Sequence, residues 1–397
     1  MSGDPGAQGA RDVLATAFAL ALGAAVSLGL ARFAYALLLP PMKAALGWSY
    51  FTAGAMNTVN AAGYLAGALA MPSLMARFGA RAAFVGGALA TALLLALHGA
   101  AGSDTLLYLL RGAAGVASAA VFVSGGLMAA RLGSRLHAGS GITAGLVLGV
   151  YYGGTGLGIV ASALVVPPLV QGAGWPAAWF ALGLIALAAT AVMAWRAHVQ
   201  TPAAAPSAAR ERFAAAPFAF GLAGYFMFGL GYIGYMTFVV TLLREQALAT
   251  GTVVAFYAVL GFGVMASPWL WAGLLQKHRN GRPLAQLNAL LALATALPVL
   301  LPHPVAAFAS GALFGAVFLS VVASTTALVR HNLPPSAWPA GISAFTIVFA
   351  AGQIVGPSLV GALADGPGGL RAGLAVSAGV LLLGALLASR QKALPQQ

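Results

Sequence analysis

Residues 13–39 read VLATAFALALGAAVSLGLARFAYALLL, with one charge, Arg32, in an otherwise apolar run. A helix needs about twenty such residues to cross a bilayer core. The run is too long for the apolar region of a signal peptide, so it reads as an uncleaved first span. Windows of similar length recur to the end of the chain. The spacing predicts twelve spans, near 13–40, 51–75, 82–101, 105–130, 140–167, 176–195, 217–243, 252–275, 284–301, 305–329, 339–363 and 370–389. A transmembrane barrel would show short alternating segments instead. The expected class is therefore an all-α membrane protein with twelve transmembrane helices in two pseudo-symmetric six-helix halves.

Composition agrees. The chain is 61% hydrophobic and 6% charged, with a mean hydropathy of +0.93, whereas a soluble domain carries about 25% charge. The net charge of +13 does not point to nucleic acid, because the basic residues sit in short loops and form no basic face interleaved with aromatics. There are no cysteines, which excludes disulfides, thiolate catalysis and cysteine-held metals.

Residues 197–216 are rich in Ala and Pro and contain Arg210, Glu211 and Arg212. They read as a polar linker between a first half, 1–196, and a second, 217–397. With the N-terminus inside, fourteen basic residues fall on cytoplasmic segments, among them Arg77, Arg81, Arg131, Arg135, Arg279, Arg282 and Arg330. Three, Lys43, Arg244 and Arg371, fall outside. This bias predicts that both termini and the linker are cytoplasmic.

The halves resemble each other at an offset of about 200 residues, as repeated membrane halves do. Gly29-Leu30 and Tyr35 match Gly229-Leu230 and Tyr235; Arg77-Phe78-Gly79 matches Arg279-Asn280-Gly281. Gly115 matches Gly315, and Gly141-Ile142-Thr143-Ala144 matches Gly341-Ile342-Ser343-Ala344. Repeated halves imply a transporter with its site where they meet.

Several motifs carry a family resemblance. Gly67 followed by Arg77-Phe78-Gly79-Ala80-Arg81 is similar to the loop signature of the major facilitator superfamily, with Ala76 where that family has Asp. His278-Arg279-Asn280-Gly281-Arg282 is a degenerate second copy. Arg111-Gly112-Ala113-Ala114-Gly115 resembles the family's Arg-x-x-x-Gly motif. The run from Gly145 through Gly149 to Gly153-Gly154 resembles its fifth-span motif, with Val150 in place of Pro. More narrowly, Gly29 to Tyr35 with Pro40 and Met42, Asn60 to Gly67, and Gly352 to Pro357 resemble the YbfB/YjiJ branch of bacterial major facilitator proteins. The resemblance covers essentially the whole chain. It implies that spans 1, 4, 7 and 10 line a central cavity and that the halves rock in alternating access. Arg77, Gly79, Arg81, Arg279, Gly281 and Arg282 would then serve the gate, and Gly145, Gly149 and Gly153 would let span 5 slide.

Charge within lipid depth is costly and marks a pathway or binding site. Only Arg32 and Arg111 lie there; the six acidic residues all fall in loops or at span ends. Both arginines are expected roughly 10–12 Å from the outer end of their spans. A pair of guanidiniums would make a fork for a carboxylate or phosphate. The alternative is structural: Arg32 snorkels to headgroups and Arg111 bonds backbone carbonyls. Their counterparts in the second half are Tyr232 and Gly311. Polar and aromatic faces join them as candidate substrate contacts: Tyr35, Asn57, Asn60, Tyr64, Tyr151, Tyr232, Tyr235 and Gln353. The alternative for these is helix packing with local hydrogen bonds.

No nucleophile elbow, zincin or phosphate-loop motif occurs, so no enzyme activity, cofactor or metal is expected. The six histidines, including His98, are dispersed near span ends or in loops. The sequence thus predicts a monomeric, multi-pass secondary transporter of the bacterial inner membrane, its partners a small-molecule substrate and membrane lipids. The preferred substrate is an organic anion. The alternatives are proton-coupled efflux of hydrophobic or cationic drugs and, behind it, a non-transporting sensor or assembly subunit.

Overall fold

The structure is a computed structural model that describes residues 5–134, 142–199 and 213–395. Arg135, His137, Gly141, Arg210, Glu211 and Arg212, with most of the linker, lie outside the described residues. All regular structure among those described is helical. Helix α1 (Pro5–Ala24) runs through a π-helical segment (Ala25–Phe33) into α2 (Tyr35–Leu46). Then come α3 (Tyr50–Phe78), α4 (Ala80–His98), α5 (Asp104–Ser134) and α6 (Ala144–Arg196). After a 3₁₀ turn at Ala216–Phe218 follow α7 (Ala219–Glu245), α8 (Thr250–Leu270), the short α9 (Ala272–Lys277), α10 (Arg282–Leu300) and α11 (Pro304–Asn332). A second turn, Pro335–Ala337, leads to α12 (Trp338–Ala364) and α13 (Gly369–Ser389).

Eleven continuous helical segments among the described residues are long and apolar enough to cross a membrane. One of them is two spans. At 53 residues, α6 would be about 80 Å long, far beyond the roughly 30 Å of a hydrocarbon core. It breaks at Gly174, whose φ of 83° and ψ of 172° suit glycine and no helix. Pro176, two residues on, has the fixed φ that opens the next stretch. That gives twelve spans, with the break between 167 and 176 where the sequence places it. The chain starts span 5 at Ala144, not 140, because the Thr143 hydroxyl accepts from Leu146 N–H and caps the helix there.

The chain divides into two compact units. Unit 1 is residues 1–35 with 63–205; unit 2 is residues 36–62 with 206–397. In unit 1, α1 and the π segment lie against α6, and α4 packs on both α5 and α6. In unit 2, α7 lies between α12 and α13, α8 lies on α11, and α10 packs on α11 and α13. Helices in lipid gain little from apolar contact and associate through close packing, which favours small residues. Gly29 shows this: a Cβ there would lie 2.5 Å from the Cα of Gly158. Its repeat partner Gly229 is packed in the same way on the backbone of Phe349.

Unit 2 also holds two of the six acidic residues at helix ends. The Asp365 carboxylate accepts from the Tyr50 N–H at 2.7 Å and the Phe51 N–H at 2.9 Å, at the start of α3. An anion there complements the unsatisfied amides and the helix dipole. The Tyr50 hydroxyl donates to Glu245, and the Lys43 ammonium lies 4.1 Å from the centre of its ring.

Candidate functional site

The π segment is where the buried charge is built. The Ala34 N–H reaches back five residues to the Gly29 carbonyl at 2.9 Å, the wide-turn pattern. Such bulges recur at functional sites. Two side chains tie the segment to α5 in opposite directions. Ser27 Oγ donates to the Ser118 carbonyl at 2.8 Å, and Arg111 Nη1 donates to the Ala31 carbonyl at 2.8 Å. The second bond holds the residue just before Arg32.

Arg111 is thereby bonded to the backbone one residue before Arg32. It is 0% exposed, and its guanidinium carbon lies 4.8 Å from the Tyr35 ring centre and 5.9 Å from that of Trp179. Arg32 is 3% exposed, with its guanidinium carbon 5.6 Å from the Tyr64 ring centre. Both cations are thus inside the protein, against aromatic faces that attract positive charge. Like charges in a low-dielectric interior raise the cost of burial, and an anion between or beside them would offset it.

Four of the sequence candidates, Arg32, Tyr35, Tyr64 and Arg111, meet in this cluster. Tyr151 belongs to the same unit but turns to α5, where its hydroxyl donates to the Phe122 carbonyl at 2.6 Å. Trp179, absent from the sequence candidates, completes the cluster. A tryptophan within an apolar run carries no local signal of its role; only its position behind the α6 break brings it to Arg111.

The other candidates lie in unit 2. Tyr232 is stacked on Phe228 at 4.7 Å, Phe318 at 5.1 Å and Phe349 at 5.6 Å between ring centres, and its hydroxyl accepts from the Gln353 amide. Tyr235 stacks on Phe314 at 4.1 Å and shares a 2.6 Å hydrogen bond with Ser310. Asn57 donates to the Thr237 hydroxyl at 2.8 Å. Asn60 is fully buried.

The residues expected at the gate make end-of-helix contacts. Arg81 donates to the carbonyls of Ala194 at 2.7 Å and Ala197 at 3.2 Å. Arg279 donates to the His331 carbonyl at 2.9 Å. Gly281 N–H donates to the Gln391 carbonyl at 2.9 Å, and Arg282 N–H to Asn280 Oδ1 at 3.1 Å. Arg77 lies over Phe78, and Gly79 turns the chain from α3 into α4 with φ of 82°. In α6, Gly154 and Gly158 make the close backbone approach, to Ala21 and Ala25 of the first span. Gly145 lies nearest its own cap, Thr143; Gly149 and Gly153 are buried further along the same helix.

A family model described as "Uncharacterised MFS-type transporter YbfB" matches residues 24–389. The chain belongs to this major facilitator family. It is a multi-pass membrane transporter, and the members of its family are carriers and not enzymes. No curated protein matches the chain. Solved structures with this fold include a bacterial homologue of the human lysosomal transporter Spinster, inward-facing and unoccupied. It has 13% identity and a TM-score of 0.70, with 100% of each chain covered. A variant of the nucleoside transporter NupG has 11% identity and a TM-score of 0.72, over 95% of this chain and 99% of that one. The human organic anion transporter MFSD10 (TETRAN) has 14% identity and a TM-score of 0.65, over 97% and 100%. At these identities the likeness of the YbfB-type chain to them is one of fold.

Proposed function

We propose that this carrier moves a small organic anion and that Arg32 and Arg111 hold it. The observation that supports this reading is that two guanidiniums are buried within spans, Arg111 bonded to the carbonyl of the residue before Arg32, with Tyr64 beside one and Tyr35 and Trp179 beside the other. Two preorganised guanidiniums suit a carboxylate or phosphate oxygen pair. Asn60, Tyr232, Tyr235 and Gln353 are further candidate substrate contacts, and the two six-helix halves, 1–196 and 217–397, would rock in alternating access. The carrier would act as a monomer in the bacterial inner membrane with both termini in the cytoplasm, as the basic loops favour. Arg77, Arg81, Arg279 and Arg282 would close the cytoplasmic side.

The test is a thermal-shift screen of detergent-purified protein against organic anions and lipophilic cations, with Arg32→Ala and Arg111→Ala run alongside. Stabilisation by an anion that vanishes in both variants supports the proposal. Stabilisation only by cations, untouched by either substitution, overturns it in favour of drug efflux.

A further inference from the structure

His98 closes α4 and is 0% exposed. Its ring stacks on Trp179, centre to centre 4.5 Å and inclined by 26°. The Arg111 guanidinium addresses the same tryptophan at 5.9 Å. The tautomer follows from one contact. His98 Nδ1 lies 2.7 Å from the Leu94 carbonyl, which can only accept, so Nδ1 carries the hydrogen. Nε2 then presents a bare lone pair, buried and without a hydrogen-bond partner. A buried imidazole with a vacant basic nitrogen, one ring away from a buried guanidinium, is a place to store one proton.

We infer that His98 is the proton-binding site of this carrier, coupled through the Trp179 stack to the charge at Arg111, so that proton and anion load together. The anion rests on the reading above; the coupling rests on the geometry. A proton from solution adds to the Nε2 lone pair and makes an imidazolium. Burial disfavours a charged ring, and the positive charge of Arg111 adds to that, so His98 stays neutral. An anion on Arg111 offsets the second of these and raises the proton affinity of His98. By linkage, the protonated ring raises anion affinity by the same factor. The position at the C-terminal end of α4 also favours a cation.

The charged and titratable groups on the elements packed against this end of α4 are few. They are Arg111, Tyr108 and Asp104 on α5, Arg32 in the π segment and Tyr35 at the start of α2. The second stretch of α6 brings Trp179, with Arg196 at its far end. In a chain whose acidic residues lie at span ends or in loops, His98 takes the part that an intramembrane carboxylate plays in other proton-driven carriers.

The experiment watches the ring itself and needs no substrate. Full-length protein labelled with ¹³C-histidine is titrated from pH 8 to pH 4.5 in detergent, with the His98 resonance assigned by its loss in His98→Gln. The titration is repeated in Arg111→Met, which fills the volume without the charge. Arg111→Gln is the second variant, should the first not fold. The expected result is a proton affinity at least tenfold higher in the Arg111 variant than in the native protein. Equal titration in both, or a ring neutral to pH 4.5 in both, overturns the coupling. The thermal-shift screen reports separately on the anion, so failure of either reading is distinguishable from failure of the other.

Discussion

Unit 1 buries two guanidiniums at positions where unit 2 buries a tyrosine and a glycine. The sequence repeat pairs Arg32 with Tyr232 and Arg111 with Gly311, and the packing around each pair differs in kind. Tyr232 is one ring in a stack with Phe228, Phe318 and Phe349, its hydroxyl met by Gln353. Gly311 leaves no space at all: a Cβ there would lie 2.8 Å from the Phe256 ring. The fold therefore closes its second half without any intramembrane cation. The two arginines are particular to the first half, and the proposed function reads that one-sidedness as the mark of a ligand. The lesson is that a pseudo-symmetric scaffold separates what packing demands, shared by both halves as at Gly29 and Gly229, from what is particular to one half.

The harshest way to break the comparison is to force the first half's charge on the second. Gly311→Arg is expected to abolish folded protein. Overpacking against Phe256 and an added buried charge exceed ~4 kcal/mol together; a monodisperse peak with native thermal stability on size exclusion would sink the argument. Next is Arg111→Ala, expected to cost about 3 kcal/mol through the lost Ala31 bond and the cavity left between Tyr35 and Trp179. Arg111→Met is expected to cost less than half as much, since it fills the space. Both should lose anion-induced stabilisation, and a comparison of melting temperatures with and without anion reads both effects.

Milder is Arg32→Tyr, which gives the first half the residue of the second. Stability is expected to change by about 1 kcal/mol or less, because Tyr64 offers a ring to pack on, while anion affinity falls at least tenfold. Retained affinity in a binding titration would remove Arg32 from the site. The smallest effect is expected from Tyr232→Phe, which keeps the stack and loses only the Gln353 bond. About 1 kcal/mol of stability goes with it, measured by denaturation, and a much larger loss of anion affinity would make this ring a substrate contact.

Legibility differed between these features for physical reasons. The two arginines stood out because a charge in an apolar run is rare in any context. Tyr35 and Tyr64 were candidates from their faces, and they do lie on the guanidiniums. His98 looked like one more histidine at a span end; its burial under Trp179 joins residues far apart in the chain. Tyr232 was a candidate for either a cavity lining or helix packing, and in the structure its ring is buried in a stack with Phe228, Phe318 and Phe349. Periodicity reports that a face is apolar or aromatic without saying what lies opposite.

Local composition alone determined that this chain is helical, membrane-spanning and twofold in plan. Every backbone amide in lipid must be satisfied within its own segment, so hydropathy and length suffice to place the spans. Glycine and proline between 167 and 176 suffice to split the longest helix. Only the tertiary structure decided that the turn before Arg32 widens into a π segment, that Arg111 grips the Ala31 carbonyl, and that Trp179 carries a guanidinium and an imidazole on one ring system. Those outcomes depend on which backbone comes within reach of which side chain. Close glycine contacts such as Gly29 on Gly158 set that reach across more than a hundred residues of sequence, beyond the range of any local pattern.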